Sequence, residues 1–403
     1  MKKIIIALLL AGAVMLPSCK EVKSEVREED TSGSEVNVVI DSGSDDTTET
    51  EPEDKGPETV SIIMAGDVLL HTRVTASGKF ESGYNFDHLF ENCKDIISEA
   101  DLAIVNQEII LGGTELGISG YPSFNGPYEV ADSLVGAGFD VVLHATNHTL
   151  DKGKTGLINC LTYWEETYPQ IEVAGVHLTE ADANEIPVME VNGAKVAILN
   201  YTYGMNGIPL PSDMPYCVDM LTWDRVDEIK DDIRRAREMA DIVIVAPHWG
   251  SEYTHVPGTD QKNWTQIFFD GGVDLVIGTH PHVVQPYEVI EDENHTMAVY
   301  YSIGNYVNAT EQWGSVTQRM LGALADVEFT LVDGDWKLTK TDAIPIVSHV
   351  ETDNAGELTV YLLSEYTEEL ARENEILTQD SAFSLSALNK INEDILLKKD
   401  EVE

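Results

Sequence analysis

Basic residues are scarce in this 403-residue chain, which has 25 Lys and Arg against 71 Asp and Glu and a formal net charge of −46. Electrostatic capture of nucleic acid or of an anionic lipid surface needs clusters of Lys and Arg. The composition therefore excludes a nucleic-acid partner and argues against direct binding to an acidic membrane surface. The excess acid is typical of a soluble or salt-tolerant surface, or of a surface that collects divalent cations.

Cysteine is also rare, and the four cysteines are Cys19, Cys93, Cys160 and Cys217. No pair has the C-x-x-C spacing, and the last three lie far apart in the sequence. This pattern argues against a disulfide framework and against a cysteine-rich zinc site. It leaves room for at most one disulfide among the last three cysteines, or for three buried thiols.

Long apolar runs are missing, because no stretch after the N-terminus reaches 18 apolar residues. The run from Ile4 to Met15 has twelve residues, too few to cross a hydrocarbon core of about 30 Å. It follows two lysines and precedes a Leu-Pro-Ser-Cys sequence that ends at Cys19 and resembles a bacterial lipobox. We therefore expect residues 1–18 to be a lipoprotein signal peptide and Cys19 to carry a lipid. The expected location is therefore the bacterial cell envelope, outside the cytoplasm, with the protein anchored by a lipid on Cys19. The alternative is ordinary secretion.

The next segment is acidic and poor in large apolar residues. Residues 20–58 contain 14 acidic and 4 basic side chains, together with many Ser and Thr. Such a composition cannot bury enough apolar surface to offset the entropy cost of folding. We predict that residues 19–58 are a disordered tether that lifts a domain off the membrane.

From residue 59 the chain alternates short apolar runs with helical patterns, which predicts a largely parallel sheet covered by helices. Strands are predicted over Thr59–Ala65, Leu102–Val105, Asp140–Leu143, Val196–Asn200, Ile242–Ala246, Leu275–Ile277 and Ala298–Ser302. Helices are predicted over Phe86–Ala100, Tyr128–Ala137, Lys154–Tyr168, Trp223–Ala240 and Asp260–Gly271. A hairpin is expected around Asp333-Gly334. Residues 357–400 have a helical, acidic pattern. We therefore divide the globular part into a domain over 59–347 and a C-terminal helical segment over 348–403.

Polar residues follow nearly every predicted strand at the point where the strand ends. In chain order these clusters contain Asp67, Asn106 and Glu108, Asn147, His148 and Asp151, His248 and Glu252, His280 and His282, and Asn305. Because the carboxyl ends of the strands carry the site in open α/β sheets, we expect these side chains to meet. Carboxylates, imidazoles and an amide together match the ligands of a divalent metal.

Each cluster has a plain structural interpretation when taken singly. Asn147, His148 and Asp151 could cap a helix that begins near Lys154. A lone His near a strand end is more often a hydrogen-bonded structural residue. The joint pattern, always after an apolar strand, favours the metal site. His280 and His282 are two residues apart, so in an extended segment they would project to the same side.

The same blocks resemble those of the CapA-type proteins of poly-γ-glutamate capsule synthesis, a branch of the calcineurin-like metallophosphoesterase superfamily. The resemblance runs from about Val60 to Ile346. Its blocks are Met64-Ala65-Gly66-Asp67-Val68, Asn106-Gln107-Glu108, Gly138-Phe139-Asp140 with Asn147-His148 and Asp151-x-Gly153, His248-Trp249-Gly250-x-Glu252-Tyr253, Gly278-x-His280-Pro281-His282, and Tyr301-Ser302-Ile303-Gly304-Asn305. The resemblance implies a four-layer α/β/β/α sandwich, here with a C-terminal helical appendix.

The resemblance also implies a site for one or two divalent metal ions, with Mn, Zn or Fe as the expected metal. Asp67 and His282 would hold one metal, Asn147, His248 and His280 would hold the other, and Glu108 would bridge them. His148 would be the general acid or a transition-state donor, oriented by Asp151. The other polar or aromatic block residues, Asn106, Trp249, Glu252 and Asn305, are candidates for substrate binding.

Two positions depart from the superfamily pattern. Leu69 stands where the superfamily has a His, and the nearby His71 would need a bulge to reach the site from a strand. Glu108 stands where the superfamily has an Asp and is one methylene longer. The expectation is one tightly held metal and one that is held more weakly.

Three functions remain open from the sequence. The first is a metal-dependent hydrolase or transferase of the phosphoesterase type that acts on a phosphoester or on a capsule or envelope polymer, with poly-γ-glutamate suspected. The second is a non-catalytic accessory that binds the polymer or membrane synthase subunits. The third is a degenerate fold that serves as an adhesion or scaffold module.

The lipobox-like sequence makes a direct prediction for Cys19. The mature protein should begin at Cys19, carry a lipid and partition into detergent. Cys19→Ala should release it from membranes, whereas Cys93→Ala should not. Intact-mass analysis and membrane fractionation of the three proteins measure this. A mature chain without lipid, or a Cys19→Ala variant that stays on the membrane, would show that the anchor is wrong.

Overall fold

The computed structural model describes residues 58–309, 316–351 and 358–397. The predicted signal peptide, the Cys19 that is predicted to carry a lipid, and all of the predicted tether except its last residue lie outside the described residues, as does the end of the C-terminal segment. Within the described ranges, no helix is long and apolar enough to cross a membrane.

The described chain alternates strands with helices along most of its length. The strands are β1 Thr59–Val68, β2 Lys79–Phe80, β3 Gly83–Tyr84, β4 Leu102–Asn106, β5 Val141–Leu143, β6 Glu172–Ala174, β7 Val188–Val191, β8 Ala194–Thr202, β9 Ile242–His248, β10 Leu275–Ile277, β11 Tyr287–Glu291, β12 Thr296–Tyr300, β13 Asn305–Val307, β14 Leu321–Val332, β15 Asp335–Val350 and β16 Leu358–Leu362. The helices are α1 Thr72–Ser77, α2 Lys94–Glu99, α3 Glu129–Ala137, α4 Gly153–Thr167, α5 Val226–Met239, α6 Thr259–Asp270, α7 Glu368–Glu373 and α8 Leu385–Ile395.

Two large sheets organise these elements. The first has the order β16-β15-β14-β1-β4-β5-β6, with β13 also paired to β1, and the second has the order β11-β12-β10-β9-β8-β7. In the first sheet β1, β4, β5 and β6 run parallel while β14, β15 and β16 are antiparallel. In the second, β8, β9, β10 and β12 are parallel and the edge strands are antiparallel. The sheets are thus mixed rather than largely parallel.

The central strands carry near-continuous apolar runs because both of their faces are covered. In β9, Ile242 and Ile244 belong to the core that the two sheets share. Val243 and Val245 point the other way, into a second core with residues of α5 and α6. Helices α3 and α4 bury Leu134 and other apolar residues in the shared core, against the first sheet. The predicted four-layer α/β/β/α architecture with C-terminal helices is confirmed.

Strand β1 changes its neighbour at Gly66. Up to Ala65 it pairs with antiparallel β14, and from Asp67 it pairs with parallel β13 at Asn305. The register against β4 also shifts between Ala65 and Asp67. A side chain at Gly66 would collide with the carbonyl oxygen of Gly304, so only glycine permits this close approach. Because of this change of neighbour, Asp67 lies at the point where the strands of both sheets end.

The hairpin prediction is also confirmed. Strands β14 and β15 pair antiparallel from Val332 and Asp335 outward, with only Asp333 and Gly334 between them. Both turn residues have positive φ angles, 56° and 91°, as a two-residue hairpin turn of this hand requires.

Two predicted elements differ from the structure. The helix predicted over Phe86–Ala100 is a 3₁₀ turn at Asp87–Leu89 followed by α2. The C-terminal segment begins with a strand, β16, that extends the first sheet, and the boundary predicted after residue 347 falls inside β15. The three cysteines at 93, 160 and 217 are buried free thiols.

The space around two glycines predicts opposite effects on stability when each is replaced by alanine. In Gly322→Ala the new methyl group would meet the Asn305 carbonyl oxygen, so overpacking should destabilise the protein by roughly 1–3 kcal/mol. Gly136→Ala, at an exposed position of α3 with open space around it, should stabilise the protein by about 0.5–1 kcal/mol through helix propensity. Thermal unfolding of both variants measures this. Equal melting temperatures would contradict the assigned packing.

Candidate metal centre

The polar residues that follow the strands converge in one buried cluster. Asp67 is the last residue but one of β1, and Asn106 and His248 end β4 and β9, while Glu108, Asn147, His280 and His282 lie in the loops directly after β4, β5 and β10. Six of these side chains are at most 2% exposed, and His282 is 5% exposed. The structure therefore brings together all six residues that were predicted as metal ligands.

Three overlapping sets of donor atoms could each hold a metal ion. Within each set, the three ligand atoms lie within 4.8 Å of one another. The sets are Glu108–His248–His280, Asp67–Glu108–His282 and Glu252–His280–His282. Glu108 is shared by the first two sets, which is the position a bridging carboxylate occupies. This geometry fits two neighbouring ions.

Glu108 is an unusual buried acid. Neither of its carboxylate oxygens has a hydrogen-bond partner among the described residues. Burial, followed by the charge of Asp67, raises the pKa of Glu108 well above its usual range, although His282 opposes the shift. Burial disfavours the charged form of His282, but the carboxylates of Glu108 and Asp67 outweigh it and raise the pKa of His282 to about 10. A divalent cation would displace the protons that these groups otherwise hold.

The other two histidines are kept neutral, as metal ligands must be. Burial, with the neighbouring histidines, lowers the pKa of His248 and of His280 well below the usual range. His248 Nε2 lies 2.9 Å from Asn147 Oδ1, and its Nδ1 lies 2.9 Å from Thr279 Oγ1. His280 Nδ1 is buried with no hydrogen-bond partner in the described ranges.

The loop that carries His280 and His282 is not extended. The two residues have positive φ angles of 96° and 58°, which are strained for side chains other than glycine. Both rings still enter the cluster, with their centres 5.8 Å apart. The His280 amide donates to Asp67 Oδ2 at 3.3 Å, which holds the loop in place. The prediction that an extended backbone aligns these rings is therefore wrong.

Two amides that were predicted to bind substrate contact predicted metal ligands. Asn106 Nδ2 donates to Asp67 Oδ1 at 2.7 Å and so orients that carboxylate. Asn305 Oδ1 lies 2.9 Å from His282 Nδ1. Its Nδ2 donates to the carbonyl oxygens of His282 and Arg319, both at 3.1 Å. These contacts fix ligand geometry in the way that outer hydrogen bonds do around metal sites.

His148 and Asp151 form a hydrogen-bonded pair at the edge of the cluster. His148 Nδ1 lies 2.7 Å from Asp151 Oδ2, which also accepts the Phe124 amide at 2.7 Å. The His148 ring packs edge-on against Phe124, with 4.7 Å between the ring centres. Helix α4 has Lys152 at its N-cap position and no side-chain cap. The alternative in which these residues cap the helix has no support in the described contacts.

Trp249 and Glu252 follow β9 but lie in different surroundings. The Trp249 indole is buried against Phe268 and Tyr301, and its N–H donates to the Tyr301 carbonyl at 2.9 Å. Glu252 is exposed, and its carboxylate lies within ligand reach of His280 and His282.

Several site residues were not predicted as such. Tyr203 packs on His280 with 4.5 Å between ring centres, and Asn206 Oδ1 accepts from Asn147 Nδ2 at 3.2 Å. Both follow strand β8, so the same rule of polar residues after strands could have found them. His71 reaches Phe124 through the turn that leaves β1, without remaining in the strand. Burial, then the charges of His282 and His148, lowers the pKa of His71 to about 4.

Several known proteins are similar to this chain. The family described as bacterial capsule synthesis protein PGA_cap matches residues 61–310. The capsule biosynthesis protein CapA of Bacillus anthracis is 26% identical over 259 residues, which cover 62% of this chain and 60% of the relative. The PGA biosynthesis protein CapA of Bacillus subtilis is 32% identical over 178 residues, 42% of each chain. A probable polyglutamine synthesis accessory protein of Mycobacterium tuberculosis is 24% identical over 177 residues, 42% of this chain and 45% of the relative.

The matches therefore span less than two thirds of the length of these relatives. Among solved structures, a hypothetical protein from Thermus thermophilus gives a TM-score of 0.42 at 15% identity, covering 71% of this chain and 98% of its own. The calcineurin-like phosphoesterase YfkN from Bacillus subtilis gives a TM-score of 0.39 at 13% identity. That match covers 84% of this chain and 100% of the YfkN chain. Because the family match covers most of the chain and includes every block of the metal centre, the chain belongs to the bacterial capsule synthesis protein PGA_cap family.

Proposed function

We propose that this protein is a divalent-metal-dependent hydrolase of the phosphoesterase type, which acts on a capsule or envelope polymer outside the cytoplasm. The observation that carries the proposal is the buried Glu108 carboxylate, whose two oxygens lack a described hydrogen-bond partner beside neutral His248 and His280. A buried charge of this kind is normally paired or bound to a metal. The donor set therefore fits the metals expected from the sequence, Mn, Zn or Fe.

The ligands would be Asp67, Glu108, Asn147, His248, His280 and His282. Metal ions bound there would supply an activated water and stabilise the charge that develops on the substrate. Asn106 and Asn305 would hold Asp67 and His282 in orientation. The burial of the cluster would exclude bulk water and strengthen these interactions.

His148 is suited to donate a proton to the leaving group. Its Nδ1 faces Asp151, so the hydrogen on Nδ1 is held there and Nε2 is left to exchange a proton with substrate. Asp151 would act as a positioning residue, because it accepts both the imidazole and the Phe124 amide. This arrangement supports a general acid that does not bind the metal.

The names of the relatives suggest the substrate. Two Bacillus relatives are described by capsule or PGA biosynthesis, which supports a role in synthesis, export or processing of poly-γ-glutamate or a related polymer. Membrane synthase subunits would be the protein partners, and a lipid on Cys19 would keep the domain at the surface. A polyanion would be repelled by a chain of net charge −46 unless metal ions lie between them.

A non-catalytic accessory role is the alternative. The Mycobacterium relative is described as a probable accessory protein for polyglutamine synthesis. In that role the same metal centre would bind polymer without turnover, and the activity measurements below separate the two.

Removing a ligand should remove metal. Asn147→Ala and His280→Ala should lower the bound metal and any phosphodiesterase activity together, because each deletes a donor to the ion bound with His248. His295→Ala is the control, since His295 bonds to the Val273 carbonyl away from the site. Elemental analysis of protein purified without chelator measures metal content. Wild-type protein that neither contains metal nor takes it up would contradict the proposal.

His148→Ala should behave differently from the ligand variants. It should keep the metal but reduce turnover of a phosphodiester dye by roughly 10²- to 10⁴-fold, as expected for loss of a general acid. Metal content, melting temperature and rate are measured on the same preparation. Loss of metal in His148→Ala would contradict the assigned role, and the absence of any rate in metal-loaded wild type would favour the accessory function.

A further inference from the structure

The metal centre has a solvent-facing side that is formed by Glu252. Glu252 is exposed, whereas the other members of the three donor sets are buried. Its carboxylate lies within 4.8 Å of ligand atoms on both His280 and His282. A hydrated ion that approaches the cluster from this side therefore meets a charged carboxylate and two imidazoles before it meets Glu108.

The backbone around Glu252 is fixed against the histidine loop. The Tyr253 amide donates to the Pro281 carbonyl at 2.8 Å, and Tyr253 itself has a strained φ of 62°. Two further bonds join the same segments: Gln285 Nε2 donates to the Thr254 carbonyl at 2.8 Å, and His255 Nδ1 lies 2.7 Å from the Val284 carbonyl. Glu252 therefore belongs to a built arrangement and is not a freely placed surface acid.

An ion bound with Glu252 and an ion bound with Glu108 cannot both use His282 as a ligand at the same time. Its Nδ1 already lies 2.9 Å from Asn305 Oδ1 and 3.1 Å from Asp67 Oδ2. Nε2, which lies 3.6 Å from Glu108 Oε1, is the nitrogen that remains for an ion. Because one nitrogen lone pair binds one ion, an ion held with Glu252 and an ion held with Glu108 are successive states.

We propose that Glu252, His280 and His282 form an outer capture position, where a hydrated divalent cation first binds before it moves inward to Glu108. This inference rests on the metal centre in the proposed function and adds the path by which that centre is loaded. His280 supports the transfer, since it belongs to the outer set and to the inner set with Glu108 and His248. Both carboxylates therefore lie within ligand reach of the same imidazoles, and Glu252 is exposed whereas Glu108 is buried.

The test is the rate at which metal-free full-length protein takes up Co²⁺, added alone and followed by stopped-flow absorbance. Glu252→Gln should slow uptake on the order of tenfold, because a charged group at the mouth of a cleft accelerates capture of its counter-ion. The final amount of bound Co²⁺ should stay that of wild type. Asp260→Asn is the matched control, since it removes another exposed carboxylate, in the first turn of α6, that is in none of the three donor sets. Glu252→Asp keeps the charge on a shorter arm and should give an intermediate rate.

Several results would overturn the inference. Equal uptake rates in Glu252→Gln and Asp260→Asn would show that Glu252 has no role in capture, while the proposed hydrolase could still stand. An unchanged rate with less Co²⁺ bound at equilibrium would make Glu252 a permanent ligand. If wild-type protein took up no Co²⁺, the metal centre and the capture position would both be wrong.

Discussion

The buried carboxylate of Glu108 is the constraint around which the site is arranged. It is 1% exposed, and no described residue donates a hydrogen bond to either oxygen. His282 Nε2 lies 3.6 Å from Oε1, too far for a hydrogen bond, and a buried charge is costly, so the carboxylate must be protonated or neutralised by a cation. Neutral His248 and His280 on one side and Asp67 with His282 on the other make a cation the natural counterpart. The amides of Asn106 and Asn305 contribute by fixing Asp67 and His282.

The fold places this cluster through a few backbone devices. Strand β1 must bring Asp67 to the end of both sheets, and the change of neighbour at Gly66 achieves that because no side chain separates it from Gly304. The histidine loop must turn back over β1, and it does so with left-handed residues held by the Asp67 carboxylate. Backbone strain at His280 and His282 is therefore maintained by the groups that would bind the ion, which links the stability of the loop to the function of the site.

The sequence predicted the strands and the side chains at their ends because both depend on local patterns. Apolar runs such as Ile242–Ala246 must be buried on two faces, and parallel strands finish at a common edge. The conformation of His280 depends on a contact with Asp67, 213 residues earlier, which no local pattern contains. In the segment from Phe86, apolar residues recur at helical spacing, yet the chain is a 3₁₀ turn and a short helix. That spacing indicates which side faces the core, and it does not require one continuous helix.

The net negative charge of the chain affects which ions and polymers can reach the buried centre. A net charge of −46 raises the local concentration of divalent cations and lowers that of any polyanion, more so at low ionic strength. An anionic polymer could therefore approach the cluster only where the charge is reversed. Two divalent ions within the Asp67–Glu108–His282 and Glu108–His248–His280 sets would add four positive charges against the two carboxylates of those sets. The loaded centre would then be a positive position on an otherwise negative molecule, so that metal occupancy would decide both the chemistry and which part of the surface an anionic substrate can reach.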